Sequence, residues 1–555
     1  MEKLQQLDYI AFLIYMLLMA GIGVFFGWFI KDIKDYFKGG NTIPWVIGAI
    51  SNYMGLFSSF VFVAHAGIAY QYGLIGVLIL WSTIFPCLIA SRYLAARWRR
   101  SGIITPVEYL ETRFNGSVRQ TFSWIGLLMR FLDNMVRLYA IGIFISTATH
   151  FSFFESVVIS GFVITMFTIV GGVWAVVVMD AIQFVILIFA SLIMVPLSLD
   201  AVGGLGSLME KQPQHFNFLN GPNGNMFWIF VYFLLISLKY NGNWAFIQRF
   251  YSVKDEASSK KLGYFTAILF FVFPIFFLLP AIAATEIFPV LPNPEMAYVA
   301  TAVKLLPSGI MGLMLAAIFS ATMSSLNSEF NVMSGVLTND IYKRLWNRDG
   351  TDAHYLWVAR INIILVGIIA TIGALYVGQL GGAFEANKLL TGLFAIPLAI
   401  PLVFGLLSKK PNAQGAIATV LVGILAGFIL NGHPEISWEL ATFIEIVICF
   451  AIFFSSGWWV PKTIEYKKRV DTFFKLINTP LRQDEIPIIS KAFKKMLSNV
   501  FMIALALSGL LILAMALFSL GTKGSNIAII GAIVYFLVAI VIFFVSKKPL
   551  PSHKS

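Results

Sequence analysis

The chain has 555 residues, of which 59% are hydrophobic and only 12% charged. A soluble domain of that length needs far more surface charge, so this composition excludes one and points to a protein that crosses a membrane many times. The net charge of +12 would suggest nucleic acid only if the basic residues formed a patch. They are divided among short loops instead, so no nucleic-acid partner is expected and the lipid bilayer is the expected surrounding.

Met1 to Asp8 is not basic, and the apolar run Tyr9 to Ile30 is too long for a signal peptide and has no small-residue cleavage site. It is expected to remain as a first span. Further apolar windows of crossing length fall at 43–66, 74–95, 119–148, 155–172, 174–197, 226–248, 262–288, 308–337, 356–378, 385–407, 412–431, 437–460, 495–520 and 525–546. That makes about fifteen predicted helices. The loops between them alternate. Segments rich in Lys and Arg ("KDIKDYFK", "RWRRSG", "QRFYSVKDEASSKK", "YKRLWNR", "LSKK", "EYKKRV", the tail "SKKPLPSHKS") trade places with segments almost free of them ("YQYG", "THFSFFES", 198–225, "TEIFPVLPNPEM", "GQLGG", "NGHPEIS", "GTKGSN"). With basic loops inside, the N-terminus is expected outside and the C-terminus in the cytoplasm of a multi-pass cell-membrane protein.

The first span, 1–32, stands apart. The ten after it divide into two groups of five, 43–197 and 226–407. Five is odd, so the groups run in opposite orientations, as inverted repeats do. The remaining spans (412–546) and a cytoplasmic tail (547–555) are peripheral, and Pro461 to Ser490 reads as a cytoplasmic connector. Cys87 and Cys449 lie in apolar runs and imply no disulfide, and the six histidines have no metal-ligand spacing. The chain contains no H-E-x-x-H, G-x-S-x-G or signalling domain. It therefore offers no catalytic constellation to support a membrane-embedded enzyme, and no obligate protein partner is implied.

Arg130, Asp133, Arg137, Asp180, Lys239, Glu385, Lys388 and Glu445 fall inside predicted spans. Charges there are costly at the lipid-facing centre, so they are expected to face protein or water. Two readings stand side by side. One is mutual pairing, since Asp133 is four residues from Arg137 and Glu385 three from Lys388. The other is a set of charges around one hydrated cavity. Asp180, in "GGVWAVVVMDAIQFV", has no basic residue within a turn or two. Its partner must come from elsewhere, with a bound cation or a proton among the candidates. In "FSATMSSLNSEFNVMSGVLTNDIYKR" (319–344), Ala321, Ser324, Ser325 and Ser328 share one helix face. Small hydroxyl residues suit close helix packing, yet adjacent serines followed by Asn327 also offer hard oxygens to a cation. In "SNYMGLFSSF", Asn52, Gly55, Ser58 and Ser59 interrupt an apolar run. A helix broken there would free backbone carbonyls.

Five stretches, "DYFKGGNTIPW", "TPVEYLETRF", "GGVWAVVVMDAIQ", "NWAFIQRFYSVKD" and "LAAIFSATMSSLNS…NDIYK", together resemble the sodium:solute symporter family of sodium/glucose, proline, iodide and sialic acid carriers. The resemblance runs from about Asp35 to Lys410. It implies an all-α LeuT-type fold, a five-plus-five inverted-repeat core with peripheral helices, and Na+ as coupling ion. It also implies a main sodium site between the first and eighth core helices. Its ligands would be the carbonyls of Met54 and Phe57, to within one residue, the carbonyl of Ala321, and the hydroxyls of Ser324 and Ser325. Asp180 matches the family's acidic residue on core helix five, which in some members joins a second cation site. Asn327 and Ser328 are candidates to complete such a cation or proton site here.

The chain departs from sugar-carrying relatives at Phe60, Val61, Leu80 and Met179, while Lys239, Glu385 and Lys388 add charge. A solute with an ionised group, such as a sugar acid or another carboxylate, therefore fits better than a hexose. Ser58, Asp133, Lys239, Asn241, Glu385 and Lys388 are the candidate substrate contacts. The expected function is a sodium-coupled symporter that imports a small polar organic solute by alternating access. A transporter-like sensor, a proton-coupled carrier and, behind these, a membrane-embedded enzyme are the alternatives.

Overall fold

The computed structural model describes residues 4–27, 39–55, 57–219, 225–459, 463–487 and 491–547. Among them the regular structure is helical, apart from one isolated bridge between Ile43 and Val253. Among the described residues ten helices are long and apolar enough to cross a bilayer, and three shorter apolar ones are Gln6–Ile22, Phe153–Ile169 and Met226–Asn241. Residues 28–32 of the expected first span and 548–555 of the expected tail lie outside the described residues.

Helix α1 (Gln6–Gly27) precedes the first broken helix. α2 (Trp45–Met54) begins after Pro44, which has no N–H to lose at a helix start, and ends at Gly55. Helical structure resumes at Ser59, passes through a π-helical turn over Val61–His65 and finishes as α3 (Ala66–Tyr72). The interruption therefore falls within "SNYMGLFSSF". α4 (Gly116–Ala148) is capped by Asn115, whose side chain accepts from Val118 N at 2.9 Å.

α5 (Phe153–Ala201) is a 49-residue helical run that opens on a Ser152–Glu155 capping box and includes the junction expected at Gly171–Gly172. A straight helix of that length would reach about 74 Å. Both its ends nevertheless lie at the same end of the bundle. Ala148, just before it, accepts from Leu4 N at 3.1 Å, and Asp8 accepts from Gly309 N at 2.6 Å. Close by, Gly524 packs against Pro307 and Leu197. The run therefore doubles back, and its arms, Phe153–Ile169 and Val176–Ala201, serve as two crossings.

The single span expected at 226–248 is instead two helices, α6 (Met226–Asn241) and α7 (Trp244–Ser252). Gly242 and Asn243 separate them, and the Asn243 side chain accepts from Phe246 N at 2.8 Å. A glycine followed by an asparagine N-cap starts a new helix in mid-span, a capping signal that a span read by length alone passes over. α4 fits closely over this break. A Cβ on Gly126 would fall 2.3 Å from the Trp244 ring, so only glycine permits the contact.

α8 (Ile310–Gly335) is buried along its whole length and forms the centre of the bundle. Its first turn is capped by Asp8 of α1, whose carboxylate accepts from Gly309 N and Gly312 N at 2.6 and 2.9 Å. α9 (Ala383–Leu390) runs into a π-helical turn over Thr391–Ala395. α10 (Ala413–Asn431) and α11 (Trp438–Trp459) pair beside it. The stretch expected to be a connector holds α12 (Ile464–Asn478), whose Val470, Phe473, Phe474 and Ile477 are buried. Phe473 stacks on Tyr109, and Arg113 reaches Tyr466 Oη at 2.9 Å while donating to the carbonyls of Gly405, Ser408 and Pro411. α13 (Lys491–Phe518) and α14 (Lys523–Lys547) pack on one another at the periphery.

Candidate ion and solute sites

Four elements meet at Asp180. Ser324 of α8 and Ser51 of α2 both donate their hydroxyls to its carboxylate. Arg249 of α7 closes the group, with Nη2 3.7 Å from Asp180 Oδ2. Its Nε donates to Ser51 Oγ at 3.0 Å and its Nη2 to Ser328 Oγ at 2.6 Å. All five residues are at most 2% exposed. The partner that the sequence left open for Asp180 is thus Arg249, on a helix that only the fold brings near. The converging hydroxyls and carboxylate are the oxygen donors that hard cations select.

Around this group, Ser325 Oγ donates to the Thr322 carbonyl at 3.2 Å, and Ser59 N donates to Thr322 Oγ1 at 2.8 Å. The second contact stitches the resumed part of the first broken helix to α8. Met54, Phe57 and Ala321 are fully buried. Phe57 N donates to the carbonyls of Tyr53 and Met54 at 3.1 Å, closing the turn at the break. Asn327 faces Thr168 on the first arm of α5.

A second cluster lies between α4, α6, α8 and α9. Lys239 Nζ donates to Thr391 Oγ1 at 2.8 Å, to Asn387 Oδ1 at 3.1 Å and to Asp133 Oδ1 at 3.5 Å. All three ammonium protons are thereby used. Asp133 also accepts from Arg137 at 2.9 Å and from Asn387 Nδ2 at 3.2 Å. Arg137 Nη1 donates to the Gly55 carbonyl at the first break (3.3 Å), and Arg130 Nη2 to the Gly242 carbonyl at the second (3.0 Å). Glu329 of α8 lies 3.4 Å from Arg130 and 4.0 Å from Arg137, and accepts from Asn243 at 2.9 Å. The cavity bounded by Arg130, Lys239, Gly242, Trp244 and Leu398 measures only 10 Å³. That holds one water at most.

The other candidate contacts are placed elsewhere. Lys388 pairs with Glu385 at 2.6 Å and stands over the Trp438 ring, so neither joins Lys239. Asn241 donates to Ser237 O at 3.0 Å, and Ser58 Oγ accepts from Phe60 N at 3.3 Å. Glu445 is buried on α11 against Gly427, apart from both clusters. Ser51, Arg249, Glu329, Asn387 and Thr391 were not picked out from sequence. Glu329 carried the plainest signal, a carboxylate inside the predicted span 308–337.

Outside the spans, Glu111 accepts from Arg344 and from Arg119 (2.8 Å), and the Arg344 hydrogen bonds above all hold its carboxyl down to about 2. Glu295 accepts from Ala383 N at 2.9 Å at the start of α9, and burial pushes its carboxyl above the usual range.

The sequence pattern of the sodium:solute symporter family matches residues 36–423, well over half of the chain. The chain belongs to the sodium:solute symporter family. It is 27% identical over 469 residues to a sodium/glucose cotransporter of Vibrio parahaemolyticus, covering 77% of this chain and 86% of that one. It is 26% identical over 445 residues to sodium-coupled monocarboxylate transporter 2 of Bos taurus, covering 76% and 72%. Its fold matches that of a Na+-coupled sialic acid symporter in a substrate-bound outward-open state, with a TM-score of 0.75 at 23% identity over 83% of this chain and 99% of that one. The protein is a sodium-coupled symporter of LeuT-type fold, and sodium is its coupling ion.

Proposed function

We propose that this symporter imports a small organic monoanion, a sugar acid or another carboxylate, by alternating access. The observation that carries this reading is the charge of the second cluster. Arg130, Arg137 and Lys239 face Asp133 and Glu329, so three positive groups meet two negative ones. One positive charge is left over in a nearly dry place, where an uncompensated charge is costly and an arriving anion neutralises it. Asp133, Lys239, Asn387 and Thr391 would set the solute's orientation. Opening of the bundle would make room, since the present cavity is smaller than any solute.

On the same reading, sodium is held by Ser324 and Ser325 with the carbonyls of Ala321, Met54 and Phe57. Asp180 and Ser328, with Asn327 beside them, serve a second cation or a proton. The broken helices open two inverted repeats, 43–197 and 226–407, with the N-terminus outside and the C-terminus in the cytoplasm. Support for the repeats comes from the matching breaks at Gly55 and Gly242, each the first helix of its half.

The test is a thermal-shift screen of the purified protein against carboxylates, sugar acids, neutral sugars and amino acids, with sodium and with choline. Any hit is then followed as accumulation in proteoliposomes. A sodium-dependent hit among monoanions, weakened about tenfold by Lys239→Gln, supports the proposal. Sodium-dependent binding confined to neutral solutes refutes it.

A further inference from the structure

Arg130 and Arg137 stand two helical turns apart on α4, on one face. Each donates to the carbonyl exposed where a broken helix stops, Arg137 to Gly55 and Arg130 to Gly242. The last carbonyls of a helix have no intrahelical partner and carry partial negative charge, so a guanidinium there both satisfies and orients them. Both arginines are in turn backed by one carboxylate, Glu329, which follows Ser324 by about a turn and a half of α8.

We propose that Arg137 is a positioning residue for sodium. Held by Asp133 and Glu329, it fixes the Gly55 carbonyl and so sets the turn from Met54 to Phe57 before the ion arrives. The inference rests on the sodium-site reading above, because those are the residues whose carbonyls are assigned to the ion. Asp133 and Glu329 supply the anchorage from opposite sides, one on the same helix as Arg137 and the other on the helix of Ser324. Sodium then binds a turn that is already shaped, and the ordering cost is met in folding rather than in binding. Glu329 also makes the arrangement two-ended, since the same carboxylate steadies Arg130 at the break between α6 and α7. A shift of α8 at the ion site is thereby felt at both breaks.

The experiment measures sodium affinity of the full chain by thermal shift, titrating sodium chloride against choline chloride at constant ionic strength. Ser324→Ala, Arg137→Met, Arg137→Lys and Glu329→Gln are compared with the unaltered chain. Arg137→Met is expected to raise the sodium dissociation constant about tenfold, with stability recovered at saturating sodium. Arg137→Lys keeps a charge and a donor and should recover part of the loss. A residue that merely packs would lower stability equally at all sodium concentrations. Normal sodium affinity in Arg137→Met, alongside weakened affinity in Ser324→Ala, overturns the positioning role. Normal affinity in Ser324→Ala instead removes the sodium-site reading itself. If Arg137→Met does not fold, Glu329→Gln decides: it keeps an acceptor for Asn243 and removes only the charge behind the arginines. Several-fold weaker sodium binding upholds the role, and unchanged binding overturns it.

Discussion

Arg249 and Asp180, on α7 and on the second arm of α5, face each other 3.7 Å apart with almost no exposure to solvent. Ser51 and Ser324 bridge to the same carboxylate from the first broken helix and from α8. The pair joins both broken helices to the central helix at one point.

Removing one member of such a pair leaves the other charge buried alone. Asp180→Asn should cost about 3–5 kcal/mol of stability, and adding Arg249→Gln should return much of it. Melting temperatures of the two single variants and the double variant check this. Additive losses would mean that the two residues stabilise independently of each other.

Ser324 and Ser325 are adjacent but differently bound, one to Asp180 and the other to its own helix at the Thr322 carbonyl. Ser324→Ala should weaken sodium dependence of uptake about tenfold and disturb the Asp180 group, whereas Ser325→Ala should affect sodium alone. The comparison is made as the sodium concentration for half-maximal uptake, with melting temperature measured in parallel. Ser334, which donates to Ala359 O at 2.7 Å, supplies the control.

Gly126 has no room for a methyl group against Trp244. Gly126→Ala should lower stability by about 1–3 kcal/mol through overpacking, and Trp244→Leu in the same chain should relieve it. A neutral effect of Gly126→Ala would show that α4 and α7 are free to separate by more than a methyl's width.

The Arg344 hydrogen bonds hold the Glu111 carboxyl down to about 2. A carboxyl lowered on folding contributes stability that is complete above its ordinary range and is lost as pH falls toward its folded value. From about pH 5 downward the unaltered chain should therefore lose melting temperature faster than Glu111→Gln. Parallel curves for the two would remove Glu111 from the account.

Much of the helical layout could be read from the sequence because a bilayer demands long apolar runs, and the loops between them sort by charge. The first broken helix was readable too, since Asn52, Gly55, Ser58 and Ser59 interrupt such a run visibly. The second was not, because Asn241, Gly242 and Asn243 lie between the apolar stretches "LLISLKY" and "WAFIQ", which together are long enough to read as one span. The Glu385–Lys388 pair follows from three-residue spacing. Arg249 on Asp180 and Glu329 on two arginines follow from no spacing at all. They join residues far apart in the chain, so only the packing of the helices reveals them.

Asp8 has a consequence for how the central helix can be watched. Its carboxylate closes the first turn of α8, and the Gly312 backbone lies directly against it. A tilt of α8 is therefore expected to carry α1 with it, as a passenger rather than a fixed outrigger. Leu13 and Leu17 lie on the outer side of α1, 58% and 63% exposed. A spectroscopic label at either position would follow α8 from the lipid side, with no probe entering the core.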